Sequence, residues 1–235
     1  MIRRMFFAAV LALGACATAP TPQQEGERLM ALLKVASGGA ALDAPAGFHE
    51  AGIALRDGMP VTYETWGDLH ALRTRSEMTI GGTTRTSGFD GKVAWAMGPD
   101  GKAAIDTSEE GLAGARLSAY LTVGGYFYPD RFPARFDHAG TRSSNGKIYD
   151  VVTATPVGAP SVDFWLDPDT HLLQRISGMD GATPFEGDVG RYETIDGAMI
   201  GFELHQKQGE HRMDMTLMHY VFEAVPFERF APPAQ

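Results

Sequence analysis

The chain has 235 residues, 44% of them hydrophobic and 21% charged, the balance of a globular protein and not a disordered one. Its formal net charge is −9, with 20 Lys and Arg against 29 Asp and Glu, and two of the basic residues, Arg3 and Arg4, sit at the extreme N-terminus. That balance argues against a nucleic-acid partner and against flat docking on anionic lipid, both of which need clustered Lys and Arg.

Residues 1–15 read as a signal peptide: Arg3 and Arg4 are followed by an apolar run over residues 6–13, too short to span a bilayer. Leu13-Gly14-Ala15-Cys16 resembles the lipobox of bacterial lipoproteins, in which the chain is cut before the cysteine and its thiol is lipidated. Cys16 is the sole cysteine, so it forms no internal disulfide, and a palmitate-bearing membrane anchor accounts for it. An ordinary cleavage after Ala15-Cys16-Ala17 or Ala17-Thr18-Ala19 is the other reading. Ala17, and not Asp, follows the cysteine. By resemblance to the enterobacterial sorting rule this implies an outer-membrane lipoprotein facing the periplasm. Residues 16–24 read as a tether, 25–230 as one domain and 231–235 as a tail.

The first helix is expected over 25–36, where Leu29, Leu32, Leu33 and Ala36 share one stripe, and Gly38-Gly39 ends it. Strands follow over 48–56, 61–68, 72–80 and 83–89. The spacing of Tyr63 and Trp66 breaks strict alternation and suggests a bulge. Asp90-Gly91 then turns the chain into 93–97, with a further strand over 102–106. Thr107 and Glu110 fit a capping box for a helix reaching residue 123, with Leu117, Tyr120, Leu121 and Gly124 as its stripe. Tyr126-Phe127-Tyr128 is an aromatic exit that needs a large apolar partner.

From residue 134 strands resume over 134–141, 147–155, 162–167, 171–178, 191–195, 198–208 and 212–223. The last carries apolar residues on both faces by strict alternation. The fold class is mainly β (α+β): a single curved antiparallel sheet, or unclosed barrel, of about eleven strands with two helices, one covering the open side.

Catalytic patterns do not emerge. The seven histidines form no H-E-x-x-H, and no cysteine remains for zinc. His205, His211 and His219 fall on neighbouring expected strands, a pair more readily than a metal site. Ser144-Asn145-Gly146-Lys147 matches S-x-x-K but lies in a hairpin turn, and no G-x-S-x-G occurs. The expectation is a non-enzyme without cofactor or metal. What stands out is an excess of large and adaptable apolar side chains. Trp66, Met78, Trp95, Met97, Tyr120, Leu121, Phe127, Phe164, Met215 and Leu217 are the candidate lining of a site for a lipophilic ligand. The alternative is that they fill a solid core, with Trp95 as its keystone instead of the floor of a cavity.

The segments Phe164-Trp165-Leu166-Asp167-Pro168-Asp169-Thr170-His171-Leu172-Leu173 and Tyr192-Glu193-Thr194-Ile195-Asp196-Gly197 resemble recurring strand–turn–strand signatures of the lipoprotein-carrier (LolA/LolB-like) superfamily. The order of leader, helix, strand meander, lid-like helix and second meander is similar to that group as well. The resemblance implies an unclosed antiparallel barrel with helices over an apolar cavity, and a lipid or lipoprotein acyl chain as partner. Thr86-Ser87-Gly88-Phe89-Asp90-Gly91 with Trp95 also resembles a domain of bacterial secreted proteins, some bearing a retropepsin-like protease. No protease D-[ST]-G is present here. A non-catalytic module holding an envelope partner is the competing function.

Overall fold

Thr21 opens the ordered structure by capping the first helix. Its side chain accepts from the Gln24 amide while the Gln24 side chain accepts from the Thr21 amide, a complete capping box with Pro22 in the first turn. The computed structural model describes residues 19–98 and 100–233; the expected signal peptide and Cys16 lie outside them. Helix α1 therefore spans Pro22–Ala36, three residues more than the hydrophobic stripe alone indicates, and residues 22–24 belong to it. Its buried positions are Gly26, Leu29, Met30 and Leu33, with Leu32 only half-buried. Gly26 decides this rotation. A Cβ there would lie 2.6 Å from the Phe136 carbonyl oxygen, so the missing side chain lets the helix approach the sheet backbone.

The first meander comprises β1 (Gly47–Arg56), β2 (Met59–Asp68), β3 (Arg73–Ile80), β4 (Thr83–Phe89), β5 (Ala94–Met97) and β6 (Ala103–Asp106). The second comprises β7 (Ala134–Ser144), β8 (Lys147–Pro156), β9 (Val162–Leu166), β10 (Leu173–Asp180), β11 (Thr183–Ile195), β12 (Ala198–Gln208) and β13 (His211–Phe222). They form one 13-stranded antiparallel sheet in which β1 pairs with β13 at the centre and β6 and β7 are the two edges. The sheet is an unclosed barrel. Helix α2 (Glu109–Thr122) carries the chain from one edge towards the other.

The cap of α2 is Ser108, not Thr107. Ser108 Oγ accepts from the Gly111 amide, and Asp106 accepts from both the amide and the hydroxyl of Ser108. The aspartate thus pulls the start of the helix one residue on. The Asp90-Gly91 turn forms as expected, with Asp90 Oδ1 accepting from the amides of Lys92 and Val93 and Gly91 at φ +95°.

Two alternation breaks resolve differently from expectation. Both β1–β2 and β2–β3 run in continuous register, so there is no bulge between Tyr63 and Trp66, and their odd spacing sends them to opposite faces. The bulge is in β13 instead: Ala51 pairs with His219 and Gly52 with Leu217, leaving Met218 as the extra residue. Met213, Met215 and Leu217 then share a face with Tyr220 and Phe222, and Met218 is 66% exposed. Strand β11 begins at Thr183, well before the expected 191, because Pro184, Gly187 and Gly190 disguise it as a loop.

One core joins the helices to the centre of the sheet and to its β7 side. Leu29 and Leu33 of α1, Leu117 and Tyr120 of α2, and Phe48, Phe136, Phe164 and Ala198 from distant strands belong to a single buried cluster. Strands this far apart in a flat sheet would not meet, so the helices sit on a concave face. Each fully buried Leu contributes roughly 1.5–3 kcal/mol.

Candidate functional site

Between the concave face and the helices lies a cavity of about 260 Å³. Leu33 of α1 and Ser37 at its C-terminal cap, Leu121 and Thr122 of α2, and Tyr126, Phe127 and Tyr128 of the following turn form one wall. The sheet supplies Phe48 and Glu50 of β1, Val189 and Tyr192 of β11, Ile200 and Leu204 of β12, and Tyr220 and Phe222 of β13.

The aromatic wall is ordered by contacts between its own rings. Tyr126 packs on Phe127 at 4.5 Å and on Phe164 at 4.8 Å, and Phe48 stacks on Tyr220 at 5.4 Å. Two phenols are tied to backbone: Tyr128 donates to the Leu42 carbonyl at 2.6 Å and Tyr192 to the Leu173 carbonyl at 2.5 Å. Burial pushes the Tyr126, Tyr192 and Tyr220 phenols above their ordinary range and Tyr128 up to about 12, so all stay neutral.

Two carboxyls break the apolar lining, Glu50 and Glu203, and among the described residues only Glu203 has an ion-pair partner, Arg191. Glu50 is enclosed by protein yet keeps part of its surface open to the cavity. Burial pushes its carboxyl up to about 7, with a hydrogen bond from Thr65 pulling the other way.

The sequence-derived candidates divide into three groups. Leu121 and Phe127 line the cavity. Tyr120 and Phe164 belong to the packed core around it, at 1% and 0% exposure. Met78 and Met215 pack on a second cluster of Ala54, Val61 and Tyr63, and Leu217 pairs with Gly52 between the two; all three are on the concave face but outside the cavity.

Trp66, Trp95 and Met97 are not cavity residues, which corrects the expectation for them. Register places His49, Trp66, Arg75, Gly88 and Trp95 in one cross-strand row, of opposite parity to Phe48 and Glu50 and hence on the outer face. Met97 follows Trp95 by two residues and shares that face. The C-terminal segment covers this row. Arg229 stacks its guanidinium over Trp66 at 4.3 Å, and Trp95 Nε1 donates to the Phe230 carbonyl.

The cavity residues missed from sequence are chiefly Glu50, Tyr192, Ile200 and Tyr220. Glu50 left a signal: it stands in the row Phe48, Glu50, Gly52, Ala54, otherwise apolar or small.

The histidines do not converge. His205 pairs with Asp214 and His211 with Asp57, each at 2.8 Å, while His219 lies against His49. Among the described residues no group of three His, Cys, Asp or Glu could hold a metal ion. A broader hollow of about 560 Å³, bordered by Asp163, Phe185 and Lys207, lacks a helical wall, and another of about 480 Å³ lies between α2 and the sheet, with Gly114, Leu121, Phe185 and Gln206 among its borders.

The fold superposes on solved structures. A DUF1329 family protein from Desulfovibrio piger superposes with a TM-score of 0.62 at 12% identity, over 90% of this chain and 98% of that one. A LolA superfamily protein from Nitrosomonas europaea gives 0.58 at 12% identity, over 91% and 98%. A candidate outer membrane lipoprotein-sorting protein domain from Vibrio parahaemolyticus gives 0.55 at 11% identity, over 86% and 93%. The chain has a LolA/LolB-like fold. No protein-family model and no curated protein sequence matches it. The cavity lies where α1, the exit of α2 and strands from both meanders converge.

Proposed function

We propose that the protein is a cell-envelope lipoprotein that binds or hands on a lipophilic molecule, such as a lipid or a lipoprotein acyl chain, in the cavity between sheet and helices. The observation that carries this reading is the cavity itself: an aromatic and aliphatic hollow kept open between Leu121, Phe127, Ile200 and Tyr220, where a solid core would have closed. At about 260 Å³ it approaches the roughly 300–1,000 Å³ of small-ligand sites. The carrier fold and the lipobox-like sequence before Cys16 support the same reading. They favour anchorage in the outer membrane, with the domain in the periplasm, and a carrier in preference to an enzyme.

Native mass spectrometry of the purified protein, with a titration of the neutral dye Nile red, tests the proposal. The expected result is a copurifying lipophile or a saturable rise in dye emission. Ile200→Trp, which fills the cavity from β12, should abolish either signal while circular dichroism and thermal midpoint stay near wild type. A protein that carries no lipophile and leaves the dye dark would overturn the reading and favour a module that holds an envelope protein.

A further inference from the structure

The floor of the cavity is chemically lopsided. Strand register sets Tyr220, Glu50, Thr65, Ser76 and Ser87 side by side across five strands, with Thr65 and Ser76 hydroxyls 3.3 Å apart. A polar belt therefore crosses an otherwise apolar concave face, and Glu50 is its ionisable member that lines the cavity.

No Lys, Arg or His lines the cavity among the described residues. Lys34 and Arg131 lie over the Tyr128 ring. Both are engaged there, Lys34 with Asp43 at 2.6 Å and Arg131 with the Leu69 carbonyl at 3.1 Å. Glu203, which also borders the cavity, is paired with Arg191. The remaining titratable groups facing Glu50 are phenols, Tyr63 and Tyr220 above all, both held neutral. A buried carboxyl is thus left facing a cavity with no countercharge, and buried charges are ordinarily paired.

We propose that the cavity selects lipophiles whose polar end donates hydrogen bonds, amines foremost, and rejects free fatty-acid anions, with Glu50 as the acceptor that fixes the ligand's polar end. This rests on the cavity-binding reading above. An ammonium group beside Glu50 would supply the missing countercharge, and a hydroxyl would donate to the carboxylate. A carboxylate ligand would instead meet a like charge in a poorly solvated space.

Three ligands with the same chain separate the possibilities: dodecylamine, dodecanol and dodecanoate, each measured by displacement of Nile red from the wild type and from Glu50→Gln above pH 7. The expected order is amine, then alcohol, then carboxylate, with the amine at least about tenfold tighter than the carboxylate. Glu50→Gln should remove most of the amine's advantage and leave the alcohol within about threefold. A second measurement needs no variant. As pH falls below the value of about 7 to which Glu50 is pushed, wild type should lose affinity for the amine and not for the alcohol. Dodecanoate binding as tightly as dodecylamine, or an order unchanged by Glu50→Gln and by pH, would overturn the selectivity while leaving lipophile binding intact. Binding of none of the three would overturn both.

Discussion

The indole Nε1 of Trp95 donates to the backbone carbonyl of Phe230 at 2.8 Å, joining residues 135 apart in sequence. Both side chains are buried, at 3% and 0% exposure, so the bond is sealed from water. It clamps the C-terminal segment onto the outer face, assisted by Arg75 Nη1 donating to the Arg229 carbonyl and by Arg73 over the Phe227 ring. Trp95→Phe keeps an aromatic side chain but shrinks it and orphans a buried carbonyl, and should cost about 1–3 kcal/mol in urea unfolding. Phe230→Ala should cost about 3–5 kcal/mol. The double variant should cost less than the sum of the two, because the Trp95 bond to the Phe230 backbone and the Phe230 side chain hold down the same segment.

The same bond bears on tryptophan fluorescence as a reporter. Trp66 and Trp95 are on the far side of the sheet from the cavity, under Arg229 and Phe230. A lipophile entering beside Leu121 and Tyr220 should therefore leave their emission almost unchanged. Any ligand-dependent signal should be the same in wild type and Trp95→Phe. Loss of the signal in that variant alone would place the ligand on the outer face.

The legible parts of this fold are those set by neighbours in sequence. Asp90-Gly91 dictates its turn through local hydrogen bonds, whereas the true caps, Thr21 and Ser108, are not at the helix starts that the stripe and the Thr107–Glu110 spacing indicate. The parts that stayed hidden depend on distant chain. Trp66 and Trp95 look like cavity residues because they are large and on strands, and only the return of residues 227–230 makes the outer face a burial site. Residues 212–223 look two-sided because a single bulge at Met218 reverses the parity, and no neighbour of Met218 announces it. Glu50 was visible as a carboxyl in an apolar row, but its meaning required the cavity. Within the candidate site, Leu121 and Phe127 were legible because the helix stripe and the aromatic exit point the same way.

Leu217 and Met218 make a sharp contrast for mutation. Leu217 is 5% exposed on the concave face, and its neighbour is 66% exposed at the bulge. Leu217→Ala should cost about 2–5 kcal/mol, and Met218→Ser should stay within about 0.5 kcal/mol. Comparable costs at the two positions in chemical denaturation would mean that the bulge lies elsewhere in β13.

Gly26→Ala tests the seating of α1. On an exposed helix this change gains up to about 1 kcal/mol. Here the new methyl would lie 2.6 Å from the Phe136 carbonyl oxygen and 2.8 Å from its carbon, atoms of a sheet backbone with little freedom to yield. The expected outcome is a loss of about 1–3 kcal/mol, read as a lower thermal midpoint. A rise would show that the helix stands off from β7.

Cys16 is the proposed anchor, and metabolic labelling with palmitate addresses it directly. Wild type should take up label and sediment with outer membranes, while Cys16→Ser should take up none. Equal labelling of both proteins would replace the lipobox by ordinary signal cleavage, without touching the cavity.

Glu50 should also leave a mark on stability. In the folded protein its carboxyl is pushed from 4.5 up to about 7. Between those values the folded chain holds a proton that the unfolded chain has released. Its contribution is therefore complete below about pH 4.5 and is lost as pH rises through 7. The loss amounts to at most about 3 kcal/mol by about pH 8. The carboxyls of Asp57, Asp106 and Asp167 are held below their ordinary value by hydrogen bonds, so they titrate below this window and do not obscure it. Urea unfolding across the window should show wild type losing stability relative to Glu50→Gln as pH rises. Parallel profiles would mean that Glu50 is well solvated in the folded state, and the cavity floor would then be open to bulk water. A saturating amine should flatten the wild-type profile, because it binds the ionised carboxylate that high pH creates and so stabilises the folded state where that state is otherwise weakest.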